Sequence, residues 1–257
     1  MKRILFAAVA AFMLTSSVDA AEISCLDPLC ERYLLRGEIA KGDYEKVVKS
    51  LIYPWTYMFN LVSPGGDVDE ALKIGRLFRK YLIAVDAPYR RQSDGSLQFR
   101  EICRGQNCTC VSACALIWFG GVDRGGTVGL HRPYINDPRF SGLSPLDASR
   151  EYRRMLKNVT VYLNEMEVPR SIIESIVSTS SGDIRWVDMF DEGLDRPPSI
   201  AEWVDASCGR GDPHMEALRQ DKELSPQQWD ALRAQARKKL DCEMDPFDKH
   251  RKVPSGG

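Results

Sequence analysis

Tyr57-Met58-Phe59-Asn60-Leu61-Val62-Ser63-Pro64-Gly65-Gly66-Asp67-Val68-Asp69-Glu70 is the stretch that decides the fold class. Its first six residues are almost all apolar, the composition of a strand covered on both faces by helices. Ser63-Pro64-Gly65-Gly66 then turns the chain, and Asp67 and Glu70 stand at capping-box spacing ahead of a helix. Val68, Ala71, Leu72, Gly75, Phe78 and Leu82 give that helix one buried stripe to about Tyr81. Outward from this unit, Tyr33 to Ile39 reads as a short strand and Thr56 to Val62 as the second. Between them Gly42 to Ile52 is an amphipathic helix with Tyr44, Val47, Val48 and Leu51 at helical spacing. Leu82 to Ala87 is a third strand. Strand and helix in strict alternation imply right-handed crossovers, a largely parallel sheet and the α/β class.

The amino terminus has a separate purpose. Met1-Lys2-Arg3, an apolar run from Ile4 to Leu14 and the small residues up to Ala20 form a secretory signal peptide, with cleavage expected after Ala20. The run is about half the ~20 residues that a membrane span needs, so no span is expected once the leader is removed. The organisation expected is a leader over residues 1–20, a catalytic domain over 21–198 with an inserted segment at 88–109, and a helical extension over 199–257. The net charge of −1 gives no reason to expect nucleic acid or an anionic membrane as a partner. An even count of eight cysteines in an exported chain favours disulfides. Cys25 with Cys30 and Cys208 with Cys242 are the expected pairs, because each closes a local or terminal segment. Cys103, Cys108, Cys110 and Cys114 stay unassigned, with a zinc site as a weaker reading that lacks the usual ligand spacing.

Beyond the third strand, Pro88 to Asn107 is polar, with Asp94-Gly95 as a hairpin turn signal. Thr109-Cys110-Val111-Ser112-Ala113-Cys114-Ala115-Leu116-Ile117-Trp118-Phe119-Gly120-Gly121 follows, an apolar strand turning into an apolar helix stopped by glycine. Thr127 to Leu130 is a short strand leading to His131. A helix capped by Ser144 runs to about Glu165, another follows Pro169 to about Val177, and one more covers Trp229 to Leu240. The last fifteen residues are expected to be loose.

Ser112 places a hydroxyl at the strand-to-helix turn and is the candidate nucleophile. A serine needs a base to take its proton and aimed N–H donors for the oxyanion. Of three histidines, His214 and His250 lie in the polar C-terminal region, which leaves His131 as the base. Gly65-Gly66 allows close approach of backbone to a substrate carbonyl, and the Ala113 N–H at the helix start is a second donor. Each piece also has an ordinary reading: Ser112 as a helix cap, His131 as a structural residue, Pro64-Gly65-Gly66 as a turn. The ordered set favours catalysis. No phosphate loop, dinucleotide fingerprint or metal-ligand spacing calls for a cofactor.

Ser63-Pro64-Gly65-Gly66-Asp67 with its helix, Cys110-Val111-Ser112-Ala113-Cys114-Ala115 and Leu130-His131-Arg132-Pro133 resemble the serine-protease members of the ClpP/crotonase superfamily, in particular exported ClpP-like proteins of bacteria. The resemblance covers roughly Tyr33 to Leu194. It implies a spiral of βαβ units, Ser112 as nucleophile, His131 as base, Gly66 and Ala113 as oxyanion donors, and a peptide or protein substrate. It also implies that the helix after His131 packs against neighbouring subunits of a homo-oligomer. The acidic member maps to Asp183 before Ile184-Arg185-Trp186 and Gly193-Leu194, with Asp188 next. Two departures are the inserted segment and the cysteines flanking Ser112. Competing functions on the same fold are a binding or assembly module without turnover, a crotonase-type acyl-CoA enzyme, and a peptidase whose base is Lys157. Export argues against the acyl-CoA enzyme.

Overall fold

The computed structural model describes residues 20–51, 56–90, 97–98, 102, 108–134, 140, 142–191, 194, 196–211 and 224–250. The leader up to Asp19, the Asp94-Gly95 turn, Cys103, Gly193 and His214 lie outside the described residues. The strands are β1 (Glu22–Cys25), β2 (Arg32–Arg36), β3 (Met58–Val62), β4 (Ala84–Asp86), β5 (Tyr89–Arg90), β6 (Leu97–Gln98), β7 (Arg124–Gly125), β8 (Thr127–Leu130) and β9 (Arg185–Asp188). The helices are α1 (Asp43–Ser50), α2 (Val68–Lys80), α3 (Ala113–Gly120), α4 (Pro145–Glu165), α5 (Arg170–Ser178), α6 (Pro198–Cys208) and α7 (Pro226–His250).

The main sheet has five strands in the order β1-β2-β3-β4-β7. β2, β3, β4 and β7 run parallel, as the βαβ pattern requires, but β1 pairs antiparallel with β2. The sheet is therefore mixed and, as expected, mostly parallel, with its one antiparallel pair at the β1 edge. β1 carries no crossover helix, since only the short stretch Leu26–Glu31 separates it from β2; a connection that short can return the chain only antiparallel. The inserted segment does pair as a small ribbon, β5 against β6.

Two local expectations are modified by tertiary contacts. Asp67 caps α2 by accepting from the Glu70 N–H at 2.9 Å, but Glu70 does not reach back to complete the box. Its buried carboxylate instead accepts from the Gly42 and Tyr44 N–H groups, each at 3.1 Å, and so serves the start of α1. That helix needs it, because Gly42 at its cap position has no side chain to do so. Burial works to raise the Glu70 carboxyl, yet the Lys73 ion pair and the two backbone N–H groups outweigh it and hold it below the usual carboxylate range. At the far end, α7 continues to His250, so much of the stretch expected to be loose is helical.

α3 is the centre of the molecule. All eight of its residues are buried, which fits a helix apolar on every side. It crosses α2 at two glycines: a Cβ on Gly120 would lie 2.3 Å from the Gly75 oxygen. Tyr162 of α4 donates to the Leu116 carbonyl at 2.6 Å. The C-terminal end of α3 is closed by Arg124, 2% exposed, whose guanidinium donates to the Gly121 and Phe119 carbonyls at 3.1 and 2.8 Å. A cation there satisfies orphan carbonyls and the negative end of the helix dipole together. α6 packs Val204 against Leu82 and Val122, and α7 is tied to α6 by the Cys208–Cys242 disulfide.

Cys25–Cys30 and Cys110–Cys114 are also disulfides, and Cys108 is disulfide-bonded as well. No described helix is long and apolar enough to cross a membrane. Three disulfides of this kind fit an exported, extracellular or periplasmic protein.

Candidate active site

The three stretches singled out in the sequence lie side by side. The Ser63 N–H donates to the Thr109 carbonyl at 2.7 Å, and the Val111 N–H donates to the Ser63 carbonyl at 3.2 Å. On the opposite side, the Gly129 N–H donates to Cys110 and the Ser112 N–H donates to Gly129, at 2.9 and 3.0 Å. Both bridges, Ser63 with Cys110 and Val111 with Gly129, are parallel. Parallel neighbours end on one side, so the Gly65-Gly66 turn, Ser112 and His131 all emerge from the carboxyl ends of adjacent segments. β9, antiparallel to β8, backs this arrangement. Gly129 must lack a side chain here, since a Cβ would meet Val111 Cγ1 at 2.5 Å and Ile184 Cγ2 at 2.7 Å.

Ser112 stands at the cap position of α3 with φ 59° and ψ −125°. That conformation is costly for a residue with a Cβ, by about 1–3 kcal/mol, and such strain concentrates at sites of function. The ordinary explanation for a serine at a helix start does not apply, because its hydroxyl makes no capping bond. Elsewhere Asp67 and Ser144 do cap, accepting from the Glu70 and Asp147 N–H groups. Among the described residues no hydrogen bond occupies the Ser112 hydroxyl. Gly65 makes the turn possible: with φ +107°, its missing Cβ would sit 2.7 Å from Ser112 Cβ and 3.1 Å from the Ala113 nitrogen.

His131, 9% exposed, lines the same cleft as Ser112, with Val68, Ala113, Ala115, Leu116, Leu130, Pro133 and Ile176. The cleft is shallow and partly open to solvent. The His131 Nδ1 lies 2.9 Å from the Arg132 carbonyl. A carbonyl can only accept, so Nδ1 carries the proton in the neutral ring and Nε2 keeps its lone pair for a substrate or a serine. Ser112 and His131 share the cleft without a hydrogen bond to each other. Gly66 is exposed with φ 135°, and neither its N–H nor that of Ala113 is taken by an acceptor among the described residues. The Ala113 N–H opens α3, where the helix dipole adds positive potential.

Among the described residues no hydrogen bond or ion pair joins Asp183 to His131. Asp183 is exposed, in the turn before β9, and its N–H donates to the Ser180 carbonyl. Asp188 lies within β9, opposite Thr127, and accepts from the Phe190 N–H. The partner of the His131 ring is the backbone carbonyl of Arg132, which the sequence reading missed and which no residue pattern signals. The Arg132 N–H is itself fixed by the Thr179 carbonyl at 2.9 Å. Lys157 is exposed on α4. Among the described residues no group of three or more His, Cys, Asp or Glu is placed to hold a metal ion.

The Cys110–Cys114 disulfide closes over the Ser112 turn, and both cysteines are fully buried. It joins the segment held between Ser63 and Gly129 to the first turn of α3. Replacing both cysteines by alanine lets the strained turn relax, and the ~1–3 kcal/mol held there corresponds to roughly a 5- to 150-fold loss of that conformation. The expected result is an equally slower reaction of Ser112 with an active-site probe, with the far-ultraviolet circular dichroism unchanged. Probe rates equal to those of the unmodified protein would show that the turn needs no staple.

Asp86, at the end of β4 beside Gly125, has its carboxyl pushed up to about 6 by burial, against the opposing hydrogen bonds of the Tyr89 hydroxyl and the Ala87 N–H. The folded protein thus holds this proton more tightly than the unfolded chain does. Its contribution to stability is fully present below the ordinary value of 3.8 and is lost as the pH rises through about 6. Denaturant midpoints of the protein and of Asp86→Asn across that interval test the assignment. The variant is expected to show the flatter profile, and parallel profiles would refute it.

Compared with known proteins, the sequence matches no family model and no curated protein.

Proposed function

We propose that the chain is an exported serine hydrolase with a ClpP/crotonase-like arrangement, acting through an acyl-enzyme on a peptide or similar acyl substrate. The observation that carries this reading is the Ser112 backbone: a serine held at φ 59° on a strand-to-helix turn, with a hydroxyl that caps nothing. A sharp, strained turn of this kind presents a nucleophile above the sheet with the next N–H ready as an oxyanion donor. In the proposed reaction Ser112 Oγ attacks the carbonyl carbon and His131 Nε2 takes the hydroxyl proton. The Gly66 and Ala113 N–H groups hold the oxyanion, and His131 returns the proton to the leaving group. Water, activated by the same histidine, then releases the acyl group. The Arg132 carbonyl performs the orienting task that the resemblance assigned to Asp183, by fixing the Nδ1–H tautomer. A neutral carbonyl stabilises the imidazolium less than a carboxylate does, so slow turnover is part of the proposal. The apolar lining of the cleft, from Val68, Leu116, Leu130 and Ile176, suits a substrate with an apolar side chain next to the scissile bond.

A tagged fluorophosphonate probe tests the reading on the purified exported protein. Labelling at Ser112, located by peptide mass spectrometry and lost in His131→Ala, supports it. Absence of labelling in the intact protein would leave a binding module on the same fold.

A further inference from the structure

A buried carboxylate outside the lining of the cleft has no part in that chemistry. Asp43, at the first position of α1, has no exposed surface, and Ala21, just ahead of β1, has none either. The Ala21 nitrogen donates to Asp43 Oδ2 at 3.2 Å in a buried contact, and the Ala40 N–H donates to the same oxygen at 2.8 Å. Lys46, 45% exposed, pairs with Oδ1 at 2.7 Å and also donates to the Ala21 carbonyl at 2.9 Å. Ala20, one residue earlier, is exposed. The boundary between surface and interior therefore falls at the Ala20–Ala21 peptide bond, where the leader is expected to be cut.

We propose that Asp43 is the receptor for the α-amino group that a signal peptidase releases at Ala21. This rests on reading residues 1–20 as a leader and is independent of the hydrolase chemistry. Hydrolysis breaks the Ala20–Ala21 amide: hydroxide from water goes to the Ala20 carbonyl carbon, and the Ala21 nitrogen takes the remaining proton and a second from solvent. A neutral N–H donor aimed at Asp43 thereby becomes an ammonium ion at the same place. A buried carboxylate facing one solvent-edged lysine gains a second, fully enclosed cation, whose charge-assisted hydrogen bond offsets the cost of taking the ammonium out of water. Ala21 leads directly into β1, so the pair anchors the antiparallel edge strand of the sheet. Processing thus completes an internal contact as well as removing the leader.

The test uses the protein exported from its full-length precursor. Intact mass is expected to place its first residue at Ala21. An amine-acylating reagent near neutral pH is expected to modify the Ala21 α-amino group at least tenfold more slowly in the native protein than in guanidinium with disulfides intact. Asp43→Asn is expected to remove most of that protection. Should Asp43→Asn fail to fold, Lys46→Met takes its place: it removes the lysine and keeps the carboxylate, so protection must persist. A different first residue, equal native and denatured labelling, or protection lost in Lys46→Met would each overturn the proposal.

Discussion

Ser112→Ala is expected to abolish fluorophosphonate labelling and to lower hydrolysis by about 10³-fold or more, while leaving the unfolding free energy within about 0.5 kcal/mol. The asymmetry follows from what the hydroxyl does. It caps nothing and accepts nothing among the described residues, so its removal leaves no buried partner unsatisfied. The backbone strain is unchanged, because alanine has the same Cβ as serine. Ser112→Gly separates the two effects further: without a Cβ, the φ of 59° is no longer unfavourable. This variant should be equally unreactive and more stable, by about 1 kcal/mol. A stabilised, unreactive glycine variant is the signature of a residue kept for chemistry at the expense of the fold. Residual labelling of Ser112→Ala at the unmodified rate would remove Ser112 as nucleophile, and a destabilised Ser112→Gly would show that the hydroxyl has a structural partner.

The largest effect on stability is expected for Gly120→Ala, a loss of about 3 kcal/mol or more in the unfolding free energy by chemical denaturation. Alanine in place of a helical glycine normally gains about 1 kcal/mol from propensity, so an open site would give the opposite sign. Here the atoms nearest the new Cβ are backbone, at 2.3 Å for the Gly75 oxygen and 2.4 Å for Gly75 Cα. Neither helix can yield locally: α3 is wholly buried and α2 packs Ile74, Leu77 and Phe78 into the same core. The two helices must separate, and α3 carries Ser112 and Ala113 at its other end, so reactivity is expected to fall with stability. Gly42→Ala is the control, with φ +98° but open space around its Cβ, and should cost only about 1 kcal/mol. Equal costs at the two positions would show that the helix crossing is not tight.

The agreement between sequence and structure is uneven for physical reasons. The elements near Phe59 and Leu72 were legible because burial on both faces leaves unbroken apolar runs and helical burial leaves a stripe. Ser144 could be read as a cap because its partner, Asp147, lies three residues away in the chain. Glu70 followed the same local rule and still went elsewhere, since the Gly42 and Tyr44 N–H groups compete for it across the fold. β7 went unread because a strand of two residues carries no periodicity. β1 could be missed because its direction depends on pairing with β2 rather than on its own residues.

At the candidate site, residue types alone selected Ser112, His131 and the glycine turn, because few side chains can act as nucleophile or base and the chain offers few histidines. The sequence by itself thus determined which groups are present and in what order along α/β units. The tertiary structure decided the rest: that Ser63, Cys110 and Gly129 lie edge to edge, that Ser112 is held in a strained backbone, and that His131 Nδ1 meets the Arg132 carbonyl. Apolar burial repeats along the chain and is written in local pattern. Hydrogen-bond partners and backbone strain depend on segments distant in sequence, and only folding brings these together.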